Sequence, residues 1–186
     1  MKISNRIKYY LIKLVTFIAF AVAIFIIRDS FVAHLKYSIG GLMIVYAIEE
    51  VLFEVLSHQK AFYKADKIYF AFAEFVLGIV LLCAPIEFTS VCVIWAVWSI
   101  LRECYEFKDI MLEWEHITPR VLSGLESIAV IAFSITLIIE AGEHHAMIHV
   151  YLLLVELLLA PLVPLLDDVI TLAFAKKKKK EEENNQ

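Results

Sequence analysis

Six apolar blocks alternate with charged connectors along this chain, at about 10–27, 37–56, 68–84, 88–102, 121–139 and 147–166. A helix needs roughly 20 apolar residues to cross a hydrocarbon core, with about 17 as the lower limit. The fourth block is the shortest, and Trp95 and Trp98 extend it toward the interface at Tyr105. The pattern predicts an all-α polytopic membrane protein with six transmembrane helices, paired as hairpins at about 10–56, 68–105 and 121–168. The basic stretch MKISNRIK ahead of the first block gives it the look of a signal peptide. No A-x-A cleavage site follows, and the run ends in Ile27-Arg28-Asp29-Ser30, so it reads as a retained first span.

Lys and Arg give the orientation. One side carries Lys2, Arg6, Lys8 and Lys13, then Lys60, Lys64 and Lys67, then Arg102, Lys108 and Arg120, and finally Lys176 to Lys180. The other side has only Arg28 and Lys36 of the 17 basic residues, on a first outer connector longer than the others. Both termini are therefore expected in the cytoplasm, with 1–168 as the membrane domain and 169–186 as a charged, disordered tail. The tail lysines would touch anionic lipid.

Composition agrees with this class. Hydrophobic residues make up 61% of the 186, against the 45–50% usual for soluble domains, and the mean hydropathy is +0.77. Five glycines and four prolines leave little room for loops. Cys83, Cys92 and Cys104 form no CxxC, and they read as isolated small apolar residues rather than a disulfide framework. The connector ECYEFKDIMLEWEHITPR mixes Tyr105, Phe107, Met111, Leu112 and Trp114 with charges, as an interfacial amphipathic helix would.

The charges also repeat. Glu74 and Glu126 are 52 residues apart, as are Glu50 and Arg102, and the same shift carries Tyr46 onto Trp98. Each hairpin thus has an ionisable residue early in its odd helix, then an aromatic and an ionisable residue late in its even helix. The middle hairpin, AFAEFVLGIVLLCAPIEFTSVCVIWAVWSILRECYEF, resembles the short repeat of bacterial HdeD-like membrane proteins through Gly78, Leu81, Leu82, Pro85, Trp98 and Glu103. The resemblance runs from about 10 to 168; the third hairpin departs with EAGEHH at its turn, and the first with RDS. It implies a six-span protein of the bacterial cytoplasmic membrane, in a family whose name-bearing member is tied to acid resistance. It implies no catalytic residue and no established transport activity, and no cofactor is expected.

An ion at membrane depth costs at least about 2.5–3.5 kcal/mol, so the intramembrane charges should face one another. The candidate network is Lys13, Glu49, Glu50, Glu74, Arg102, Glu103, Glu126 and Glu156. One reading is a structural network that specifies how three similar hairpins pack. The other counts acids in excess of bases and takes the surplus carboxylates as a proton or cation path. A second candidate is an outer patch, His144, His145 and His149, able to gain charge in mildly acidic surroundings. His145 and His149 stand at i, i+4, but no third metal ligand has firm spacing. Asp167-Asp168 follow Pro161 and Pro164, which should kink or shorten the last helix.

No G-x-S-x-G, Walker A, HExxH or dinucleotide fingerprint occurs, which disfavours an enzyme. Nucleic-acid binding has no footprint beyond the lysine tail. Membrane lipids are the expected partners, with self-association left open and no small-molecule substrate indicated.

Overall fold

The computed structural model describes residues 3–57, 65–113 and 117–184. Lys2, Lys60, Lys64 and Trp114, which enter the orientation and connector readings, lie outside them. Among the described residues the chain is all helical: α1 Ile3–Ala33, α2 Leu35–Ser57, α3 Ala65–Cys83, α4 Phe88–Glu113, α5 Ile117–Ile139 and α6 Glu143–Asn184. Each apolar block of the sequence falls on one of these helices.

Four helices hold stretches long and apolar enough to cross a membrane: Tyr10–Ala33, Phe88–Tyr105, Val121–Ile139 and Glu143–Phe174. At 1.5 Å per residue the first reaches about 36 Å, beyond a hydrocarbon core of about 30 Å. The apolar part of α3, Ile68–Cys83, is shorter, at about 24 Å. Charge sets α2 apart, because every 18-residue window in it includes at least three of Lys36, Glu49, Glu50 and Glu54. Large apolar side chains such as Ile12, Val15, Ile26, Tyr69, Phe72, Leu125, Ile128 and Ile139 stand exposed. Such a surface would drive association in water but suits a hydrocarbon solvent.

The helix ends have local causes. Pro85 lacks an N–H and holds its predecessor extended, so α3 stops just before it. Gly142 lies in the short turn between α5 and α6, and its carbonyl accepts the amide of Ala146 at 2.9 Å. Three boundaries differ from the sequence expectation. The first outer connector is not long: α1 runs through Arg28 and Asp29, and His34 alone separates it from α2. The amides of His34 and Ser38 bond to the carbonyls of Ser30 and His34 at 3.0 and 3.1 Å, and Ser38 Oγ donates to the Phe31 carbonyl at 3.1 Å. This local bonding lets the chain turn without a loop. The stretch after Tyr105 is no separate interfacial helix, since α4 continues unbroken to Glu113. The tail is helical rather than disordered as far as Asn184, because Lys and Glu are good helix formers and α6 already supplies the nucleus. Pro161 and Pro164 do not end α6, but each removes an amide, leaving the carbonyls of Leu157 and Ala160 without their helical donors.

The chain divides into two compact units. Unit 1 comprises Met1–Ile26, Ile100–Ala132 and Tyr151–Gln186; unit 2 comprises Ile27–Ser99 and Phe133–Val150.

In unit 2, α2 buries Leu35, Ile39, Met43, Tyr46 and Ala47, a stripe at helical spacing. Gly40 on the same helix meets Gly78 of α3. A Cβ built on Gly78 would fall 2.7 Å from the Gly40 carbonyl oxygen and 2.8 Å from Ile44 Cγ1. The two backbones therefore approach to a distance that only glycine allows, the small-residue contact typical of helices in lipid. From α4, Val91, Cys92, Trp95, Ala96 and Trp98 complete the unit 2 core.

In unit 1 the buried set is Phe17, Ala21 and Ile24 of α1, Ser123, Ser127 and Val130 of α5, and Leu153, Leu157 and Val163 of α6.

Candidate functional site

Polar side chains are concentrated inside each unit. In unit 2 they fall into two groups that share helix α4. Trp98 Nε1 donates to Glu74 Oε1 at 2.8 Å, a buried bond from α4 to α3. The Tyr46 ring of α2 packs on the Trp98 indole with centroids 5.8 Å apart. The aromatic body fills the core, while the indole N–H meets an acceptor that would be costly to bury alone.

The second group sits on the next face of α4. Trp95 and Ser99 are one turn apart and share that face. His149 of α6 places Nε2 3.4 Å from the hydroxyl oxygens of both Ser99 and Ser134, the latter on α5. Its ring meets Trp95 edge-on at 4.6 Å, and the Phe31 ring of α1 lies 6.4 Å from the same indole, centre to centre. His149 is 3% exposed and Trp95 fully buried.

In unit 1, Arg102 Nε lies 3.5 Å from Glu156 Oε1, joining α4 to α6 with both side chains largely buried. Glu103, Asp167 and Asp168 are also buried there, and Glu126 is half-buried. Lys13 is half-buried, with its ammonium 5.0 Å from the centre of the Phe17 ring. Among the described residues no three His, Cys, Asp or Glu side chains come together as metal ligands would.

The eight charged residues singled out in the sequence fall into both units. Glu49, Glu50 and Glu74 belong to unit 2; Lys13, Arg102, Glu103, Glu126 and Glu156 belong to unit 1. Arg102 pairs with Glu156, and Glu74 accepts the indole N–H of Trp98. The histidine patch is divided. His145 Nε2 approaches Glu140 Oε2 at 3.8 Å, and the His144 ring lies 5.5 Å from that of His145. His149, one turn further along α6, turns into the core instead of joining them. Cys83, Cys92 and Cys104 are free thiols.

Sequence reading missed the serines. Among the described residues, Ser123, Ser127, Val130, Ser134 and Leu137 are the buried ones of α5. Their spacing of 4, 3, 4 and 3 is the signature of a packed helix seam, and it was available in the sequence.

No family model, no curated protein and no solved structure matches this chain.

Proposed function

We propose that this chain is a non-enzymatic, six-span protein of the bacterial cytoplasmic membrane, of the HdeD-like kind, and that it contributes to envelope or acid-stress tolerance. In this reading α2 and α3 also cross the bilayer, the helices pair as three hairpins, and both termini face the cytoplasm. The Lys and Arg distribution supports the orientation, and the residues of the middle hairpin support the family. The observation that supports a structural role for the acids is the bond from Trp98 to Glu74. A buried acid met by a rigid indole, inside a tight aromatic contact, is suited to specifying how helices pack.

A second reading has an observation of its own. Unit 1 buries Glu103, Glu156, Asp167 and Asp168, and its helix α6 has two prolines that leave two carbonyls without helical donors. Oxygen-rich surroundings of this kind suit a proton or cation path.

One experiment separates the two: ion flux driven by a pH gradient in proteoliposomes, for wild type, Glu156→Gln and Asp167→Asn. The first reading expects no flux above empty liposomes, with variants that differ only in stability. Flux in wild type that is lost in folded variants would replace it with the second. Survival of a deletion strain at low external pH tests the physiological part, and normal survival there would remove it.

A further inference from the structure

The group around His149 has two nitrogens that its protein neighbours leave without a hydrogen bond. His149 Nε2 is shared by the hydroxyls of Ser99 and Ser134, but Nδ1 of the same ring is buried and meets no donor or acceptor of the protein. The indole Nε1 of Trp95 is likewise buried and reaches no acceptor. The two rings touch, with centroids 4.6 Å apart, so both nitrogens belong to one patch of the unit 2 core. Buried polar atoms in folded proteins nearly always have a partner, and losing one costs about 1–3 kcal/mol. Two such atoms in contacting rings point to one shared occupant.

The chemistry of the patch selects that occupant. An indole nitrogen only donates, while a neutral imidazole offers one donor and one acceptor. If Nε2 carries the proton, Nδ1 accepts; if Nδ1 carries it, Nδ1 donates. The occupant must therefore accept from Trp95 and suit either role toward His149. A cation would face the indole N–H, with no carboxylate in the group to balance it. An anion would lie among neutral groups, with nothing to offset its desolvation. A water molecule has the required donor and acceptor capacity, carries no charge, and fits where polar partners converge.

We infer that the protein binds a buried water in unit 2, held by His149 Nδ1 and Trp95 Nε1, on the side of the imidazole away from the hydroxyls of Ser99 and Ser134. The water extends a hydrogen-bonded link between α4, α5 and α6 that the protein atoms alone leave incomplete. It makes His149 the centre of a hydrated site inside an apolar bundle, distinct from His144 and His145.

The test uses full-length, nitrogen-15-labelled protein in lipid nanodiscs and reads magnetisation transfer from water to the indole N–H protons. Trp95→Phe assigns the Trp95 signal. Trp98, whose N–H is engaged by Glu74, serves as the internal control. The expected result is a water cross-peak at the Trp95 indole proton, absent at Trp98 and lost in His149→Phe. A Trp95 indole proton with no water contact, like that of Trp98, would overturn the inference. So would a cross-peak that survives unchanged in His149→Phe, since His149 would then hold no part of the site. Because wild type alone gives the first decision, the inference stays exposed to refutation even where the variant fails to fold.

Discussion

The Glu74 carboxyl accepts the indole N–H of Trp98 at 2.8 Å, and this single bond ties α3 to α4 inside the unit 2 core. The bond needs an oxygen acceptor, which an amide supplies as readily as a carboxyl. Glu74→Gln should therefore keep stability within about 1 kcal/mol of wild type, while Glu74→Leu, which strands the indole N–H, should lose about 1–3 kcal/mol. Unfolding of the purified variants in mild detergent reads both. A large loss in Glu74→Gln would show that the charge, not the acceptor, matters.

The glycine contact gives a sharper contrast. A methyl at Gly78 would press on the Gly40 carbonyl and on Ile44, and the backbone of α2 would have to move. Overpacking of this type costs typically about 1–3 kcal/mol. At Gly41 a Cβ has no neighbour within 4 Å, and the better helix propensity of alanine acts alone. Gly78→Ala should lower the thermal midpoint, whereas Gly41→Ala should hold or raise it.

Arg102 and Glu156 form a largely buried ion pair between α4 and α6. Removing one partner leaves the other charge buried, at a cost of about 3–5 kcal/mol, while replacing both with apolar residues forfeits far less. A double-mutant cycle over Arg102→Met and Glu156→Leu should accordingly give a double variant more stable than the sum of the singles. Additive losses would mean that the two residues act separately.

His149 has two hydroxyls on one nitrogen, so either serine can serve it. Ser99→Ala and Ser134→Ala should each cost less than about 1 kcal/mol, because the remaining hydroxyl keeps Nε2 satisfied. The double variant strands the ring nitrogen and should lose more than the two singles together. Chemical denaturation of the four proteins decides it.

What could be read in the sequence was the part governed by long apolar runs. The six blocks foretold six helices, four of which hold stretches long and apolar enough to cross a membrane. Ends were harder. Arg28 and Asp29 look like a loop by polarity, yet they continue α1, since charged side chains can reach outward while the backbone stays helical. The acids were visible as candidates, and the pairing of Arg102 with Glu156 follows from the cost of burying either alone. Their distribution over two units was not visible, because residues 52 apart share a pattern without sharing a neighbourhood. His149 was grouped with His144 and His145 by proximity in the chain, but rotation about α6 decides which imidazole enters the core. Ser99 and Ser134 carried no charge to draw notice, and only the seam spacing on α5 marked one of them.

The close approach of Gly40 and Gly78 also bears on how the molecule is assembled. Both partners lie in the first 83 residues, on α2 and α3, and the contact requires nothing from the helices that follow. As synthesis proceeds from the amino terminus, this pair can lock before Trp98 has emerged from the ribosome, so that α3 already presents Glu74 when α4 arrives. The later helices then dock onto a preformed edge instead of searching among loose ones. A bulky residue at either glycine would act first on the nascent chain, as a fault in biogenesis, before any finished protein existed to be destabilised.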